Sequence, residues 1–212
     1  MQKRPIPIIL DVDTGIDDAF ALLLAAKHPD LNLLGVSCVD GNCPLDQVVA
    51  NTMLVLDAAG RADVPVAAGA ARPLVAEPNY ALAVHGEDGL GNINWPKSTR
   101  KPVDQFAVEF LRDLILGHPE KVTLIPVAPL TNIALLLTKY PEVIANIEKL
   151  VIMGGSAGLG NATALAEFNI WHDPEAAQIV FSADIPTVMY GLDVFYDVHI
   201  GELQLTNLKN SE

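Results

Sequence analysis

Apolar residues in this chain fall in short blocks separated by longer stretches of helical period. Ile8, Ile9 and Leu10 form a continuous apolar run, the mark of a strand buried on both faces. Similar runs return at 33–39, 122–125, 150–153 and 187–190. Between them the period lengthens. Residues 17–27 are apolar nearly all round, which predicts a buried helix. Residues 45–59 put Val49, Met53 and Leu56 on one face. Residues 103–116 carry Phe106, Phe110 and Leu114 at four-residue steps, and 130–137 repeats the pattern. Pro29 and Pro119, directly after His28 and His118, read as helix stops. This strand–helix alternation predicts an α/β fold, a mostly parallel open sheet with helices on both faces. No internal repeat or Ser/Gly linker interrupts it, so residues 1–212 read as a single domain.

One segment breaks the rhythm. Residues 67–102 are rich in Gly, Pro and Asn and have no period, and a loop of that length inside a compact domain points to function. Open α/β sheets bind ligands outside the carboxyl ends of their strands. The places to search therefore follow Leu10, Val39, Ile125, Met153 and Tyr190.

Composition narrows the setting. Half of the residues are hydrophobic, enough for a large core and too many for a disordered chain. No apolar run reaches the ~18 residues that a membrane-spanning helix needs. Met1 to Pro5 leads into the first strand without a signal-peptide pattern. With 13 basic against 26 acidic residues the net charge is −13, a surface that repels nucleic acid and anionic membranes. Cys38 and Cys43 fit neither a disulfide framework nor a zinc site. The expectation is a cytoplasmic globular protein with no nucleic-acid and no membrane partner.

The first strand end is chemically dense. Asp11, Asp13, Asp17 and Asp18 place four carboxylates within eight residues. Asp17 and Asp18 also suit the first turn of a helix through its dipole, but four acids exceed that need. Crowded carboxylates repel one another and their pKa values rise unless a cation neutralises them. Hard oxygen ligands suit Ca²⁺ or Mg²⁺, not zinc. Gly15 permits a tight turn that brings Asp13 and Asp18 round one ion, leaving Asp17 free to act on a water held there.

Two families begin this way. An Asp-x-Asp run after a first strand is similar to the haloacid-dehalogenase-type phosphatases, where Asp11 would be the Mg²⁺-assisted nucleophile and Asp13 the acid/base. Thr14-Gly15 matches that pattern poorly, and Asp17-Asp18 would be left unexplained. The chain more closely resembles the nucleoside hydrolases of the inosine–uridine-preferring type. The resemblance is carried, in order, by the run from Asp11 to Ala19, Val39-Asp40-Gly41-Asn42, the run from His85 to Gly91, and the run from Pro129 to Ala134. Met153-Gly154-Gly155, Gly160-Asn161-Ala162-Thr163, Ala166-Glu167-Phe168-Asn169 and the run from Asp173 to Ala177 complete it.

That resemblance implies cleavage of N-ribosidic bonds of a ribonucleoside substrate. It implies a Ca²⁺ held by Asp13, Asp18 and the backbone carbonyl of Val127, Asp17 as general base, and Asp11 just behind the metal ligands. Asn42, Asn161, Glu167 and Asn169 become sugar contacts, Met153 lies against the ribose, and His85 faces the nucleobase. A homodimer or homotetramer is the expected assembly. His28 and His118 read as structural, Trp95 and Trp171 as packing residues, and His172 and His199 carry no motif support. The family continues past the length of this chain, and a later His-Asp pair that completes the calcium shell and protonates the leaving base has no counterpart here. Residues 1–212 are therefore expected to be a C-terminally short form of the domain, an open sheet edge with exposed apolar faces lying where the chain stops. A nucleoside-binding protein without turnover is the alternative within the same fold.

Overall fold

The computed structural model describes residues 4–93, 95–96 and 98–210; Met1 to Lys3, where the leader pattern was sought, lie outside the described residues. The first half of the chain runs β1 (Ile6–Val12), α1 (Ile16–Lys27), β2 (Leu31–Cys38), α2 (Leu45–Ala58), β3 (Val66–Ala68), α3 (Leu82–His85) and α4 (Ala107–Gly117). The second half runs β4 (Val122–Pro126), α5 (Thr131–Lys139), a 3-10 helix Pro141–Asn146, β5 (Ile147–Met153), α6 (Phe168–His172), α7 (Pro174–Phe181), β6 (Thr187–Tyr190), α8 (Leu192–Phe195) and α9 (Glu202–Asn210). The strands form one sheet in the order β3-β2-β1-β4-β5-β6, with every pair parallel.

Alternation along β1 divides the core. Ile8, Leu10 and Val12 pack with Leu22, Val48 and Leu56 from α1 and α2. Ile9, between them, joins Leu111 of α4, Ile133 and Leu136 of α5, and Val180 of α7. A strand whose successive side chains enter opposite cores must be apolar throughout, which is why Ile8-Ile9-Leu10 carries no polar residue. The chain adds β2 and β3 to one side of β1 and then returns to add β4, β5 and β6 on the other. Connections from β1 and β4 therefore diverge, opening a crevice at their carboxyl ends.

The helix stops stand where the prolines set them. His28 and His118 are the C-cap residues of α1 and α4, with extended backbone ahead of Pro29 and Pro119. Four expectations need correction. α1 is not buried all round: Leu22 is inaccessible, but Phe20 and Leu24 are 52% and 60% exposed, because a helix laid on a sheet covers only one of its faces. α4 begins at Ala107 rather than at 103, since Val103 is taken into a parallel bridge with Ala67. The 67–102 segment is not all loop: it holds the end of β3, and α3 lies within it. Trp95 and Trp171, expected to pack, are 51% and 36% exposed. At the far edge of the sheet β6 has one neighbour, β5, and Val188 and Met189 lie open.

Candidate active site

β1 delivers the acidic run to the crevice. Asp11 is the last residue but one of β1, Asp13 follows the strand, and Asp18 sits in the first turn of α1. All three are buried. Asp11 Oδ1 accepts from Ser37 Oγ (2.5 Å) and Asn132 Nδ2 (2.8 Å). Asp13 Oδ2 accepts from the Asn42 backbone N–H (2.8 Å). Asp18 Oδ2 accepts from the Gly15 N–H (3.0 Å) and from Asn42 Nδ2 (3.2 Å). The other oxygen of each, Asp11 Oδ2, Asp13 Oδ1 and Asp18 Oδ1, is buried with no hydrogen-bond partner among the described residues. Burial lifts Asp11 to about 7 and, with Asp17 nearby, does the same to Asp18. Asp13 is raised well above the usual carboxylate range, by burial first and then by Asp18. No Lys or Arg salt bridge reaches any of the three among the described residues.

Two glycines allow this crowding. A Cβ on Gly15 would stand 2.6 Å from His85 Nδ1 and 2.8 Å from Asn42 Nδ2, and one on Gly41 would collide with the Asp13 carboxylate. Only a bare backbone fits either place.

Above this floor lies a cleft of about 390 Å³. Asp17, Asn42, His85, Val127, Met153, Asn161, Glu167 and Asn169 line it, so the sequence-predicted wall residues meet in one place. Ile16, Val84, Phe168 and Phe195 give the same cleft apolar surface. It suits a ligand with a hydroxylated part and a flat apolar part. Asp17, unlike its neighbours, has a side chain 52% exposed. His85 Nδ1 accepts from the Ile16 N–H (3.2 Å), which leaves the ring proton on Nε2. Nδ1 lies 3.9 Å from Asp17 Oδ1, but in that tautomer the contact is no ion pair. Burial, outweighing Asp17, lowers the His85 pKa, which favours the neutral imidazole.

The far wall is built by α6. Glu167 is its N-cap: Oε1 accepts from the Asn169 N–H and Oε2 from the Gly155 and Ile170 N–H groups. Burial raises its pKa despite these donors. Asn169 Nδ2 donates to the carbonyls of Val127 (3.2 Å) and Met153 (3.1 Å), leaving its Oδ1 for a ligand. Asn161 Oδ1 accepts from the Phe168 N–H. Val127 is itself held beside β1 by its N–H on the Asp11 carbonyl (2.9 Å).

These residues fit a hard cation. Asp13 Oδ1 and Asp18 Oδ1 are bare buried acceptors, and oxygen donors alone suit Ca²⁺ or Mg²⁺. Among the described residues no three His, Cys, Asp or Glu side chains gather closely enough to enclose an ion unaided, so neutral oxygens such as the Val127 carbonyl must contribute. The phosphatase alternative fails on access. Asp11, its nucleophile, is fully buried, is not among the residues that line the cleft, and has Oδ1 taken by Ser37 and Asn132.

Sequence reasoning missed Asn132, which donates to Asp11 and to the Cys38 carbonyl and accepts from the Ala70 N–H. It also passed over His172, whose Nε2 faces Asp40 Oδ2 at 3.4 Å with both side chains buried. Asn132 and Asp40 both stood inside the motif runs that carry the resemblance; nothing local marked His172 as the partner of Asp40.

The family model for inosine-uridine preferring nucleoside hydrolases matches residues 8–212. A pyrimidine-specific ribonucleoside hydrolase, RihA, of Shewanella sp. (strain MR-7) is 47% identical over 203 residues, 96% of this chain and 64% of its own. The Salmonella arizonae protein of that name is 45% identical over 195 residues, covering 92% of this chain and 63% of its own. Among solved structures, a plant nucleoside hydrolase superposes with a TM-score of 0.94 at 34% identity, over 98% of this chain and 66% of that one. A purine-preferring ribonucleoside hydrolase from Gardnerella vaginalis gives 0.92 at 33% identity, over 96% and 66%. The chain thus spans slightly under two thirds of the length of these relatives.

Proposed function

Because this chain belongs to the inosine-uridine preferring nucleoside hydrolase family, we propose that it hydrolyses the N-glycosidic bond of ribonucleosides to free base and ribose. The observation that carries the reading is a pair of bare, buried carboxylate oxygens, Asp13 Oδ1 and Asp18 Oδ1, joined through Asn42 to a cleft that presents a half-exposed Asp17. Cleavage requires a water to lose a proton as it attacks C1′, the sugar to bear developing positive charge, and the base to leave with the bonding electrons.

Asp17 accepts the proton of the water, whose oxygen becomes the 1-hydroxyl of ribose. Asn42, Asn161, Glu167 and Asn169 orient the sugar hydroxyls, and Met153 lies along the ring. His85 offers its Nε2–H to the departing base. Asp13, Asp18 and the Val127 carbonyl would hold Ca²⁺, with Asp11 behind them. A bound cation supplies positive charge for the ribose oxygens and for the water. The apolar surface from Ile16, Val84 and Phe168 takes the face of the nucleobase and excludes bulk solvent.

The test is release of reducing sugar from uridine, cytidine, inosine and adenosine, with Ca²⁺ and with chelator. The pyrimidine-specific relatives, at 45% and 47% identity, make uridine and cytidine the first substrates to try. Asp17→Asn should cut release by ~10²–10⁴-fold while leaving the Ca²⁺-induced thermal shift intact. Loss of both together would make Asp17 a ligand instead of a base. A nucleoside-binding role without turnover is favoured by one observation, the lack of three acidic, His or Cys groups around a common point among the described residues. A ligand-dependent thermal shift without sugar release would establish that second reading. A homodimer or homotetramer is the proposed assembly, read by light scattering.

A further inference from the structure

Asp40 is fully buried in the loop after β2, and among the described residues neither of its carboxylate oxygens has a hydrogen-bond partner. A buried carboxylate left so is costly, and one group is placed to relieve it. His172 Nε2, at the end of α6, lies 3.4 Å from Asp40 Oδ2, with the His172 side chain 1% exposed. We propose that Asp40 and His172 form a buried strap across the carboxyl ends of β1 and β4, setting the distance between the two walls of the cleft. They act as positioning residues for the side chains proposed above to hold ribose, and in that respect the inference rests on the hydrolase reading.

The connections at each end carry the argument. Asp40 is two residues from Asn42, whose backbone and side-chain N–H groups hold Asp13 and Asp18. Its own N–H is fixed to the Ala70 carbonyl (3.0 Å), so the loop has little freedom apart from the carboxylate. On the other side His172 shares a helix of five residues with Asn169, and its ring packs on Phe168, which lines the cleft, at 5.4 Å between centroids. Asp173 anchors the chain just beyond, accepting from Thr131 Oγ1, the Leu74 N–H and the Ala176 N–H. The sheet order places β2 beyond β1 and β5 beyond β4, so a contact from the β2 loop to α6 spans both central strands. The carboxylate–imidazole contact ties the Asn42 loop itself to α6, beside the Leu74–Asp173 hydrogen bond that links the segment after β3 to the start of α7.

The wild-type protein gives the first test. A long-range ¹⁵N–¹H spectrum should find His172 protonated at Nε2, with a slowly exchanging proton. An unprotonated Nε2 would overturn the proposal. Asp40→Ala should lower kcat/KM for the nucleoside about tenfold to a hundredfold, chiefly through KM, the range for a small misplacement of substrate-holding groups. Asp40→Asn keeps an acceptor for the imidazole and should stay close to wild type. Equal loss in both variants, or none in Asp40→Ala, would refute the strap. The side-chain amide signals of Asn42 and Asn169 add a readout that needs no activity: Asp40→Asn should leave both near their wild-type positions, and His172→Gln should move both. If only the amide on the substituted side moves, the walls are not coupled. Wild-type protein that releases no sugar would defeat the hydrolase reading alone, and the imidazole and amide signals would still decide the strap.

Discussion

Asp13 and Asp18 each place one carboxylate oxygen on donors from the Gly15–Asn42 region and leave the other bare. An acceptor so buried is satisfied by a proton or by a cation, and the two compete. Asp11 and Asp18 are lifted from 3.8 to about 7, so without a cation the fold favours their protonated forms. That contribution is whole below the unfolded value near 4 and is lost as pH rises through about 7. The melting temperature of chelated protein should therefore fall between roughly pH 4 and pH 7, and the thermal shift from Ca²⁺ should grow across the same interval. A shift independent of pH would count against carboxylate ligation. Asp13→Ala should abolish the shift altogether, and unchanged Ca²⁺ affinity by calorimetry would refute the site. The cluster was legible because Asp11, Asp13, Asp17 and Asp18 are neighbours in the chain. Asn132 and the Asp40–His172 pair were not, because each works through a partner over a hundred positions away, or through both ends of the fold at once.

Helix α1 sets out what composition says and what geometry adds. Its run of Ala, Leu and Phe gives no polar stripe, so the sequence predicts burial on every side, yet the sheet takes only the Leu22, Ala25 and Ala26 face. Leu22→Ala should cost ~2–5 kcal/mol in denaturant unfolding. Leu24→Ser, at a position 60% exposed, should stay within ~0.5 kcal/mol. Equal costs would mean that something covers the outer face in solution. The misread start of α4 has a similar origin. Val103, Phe106, Phe110 and Leu114 share a helical spacing, but the Val103 N–H is claimed by the Val66 carbonyl (2.8 Å) before the helix begins. β3 went unseen because a three-residue strand carries no periodicity and owes its existence to the pairing of Val66 with Val36.

At the scale of the whole molecule, strand–helix alternation was enough to give the parallel sheet, and the rule for strand carboxyl ends was enough to locate the cleft. The open side of β6 follows from the same topology. Among the described residues Thr187–Tyr190 pairs only with β5, and Val188, Met189, Val194 and Val198 stand exposed. An unpaired edge with apolar side chains is a template for further pairing. The 212-residue chain should self-associate with rising concentration in sedimentation, and Val188→Lys should suppress this; indifference to the substitution would exonerate the edge.

The crevice between β1 and β4 also gathers segments far apart in the chain, tied to one another by a few contacts such as Asn42–Asp13, Asp40–His172 and Asn169–Val127: the turn after β1, the loop after β2, the Val127 carbonyl and α6. Whatever occupies it ties together parts of the chain that would otherwise open one at a time. Ligand-bound protein should then lose its separate low-energy openings, so that amides near Asn42, His85, Val127 and Asn169 exchange with deuterium at one common rate. In this molecule a bound ligand would serve as the last piece of tertiary structure.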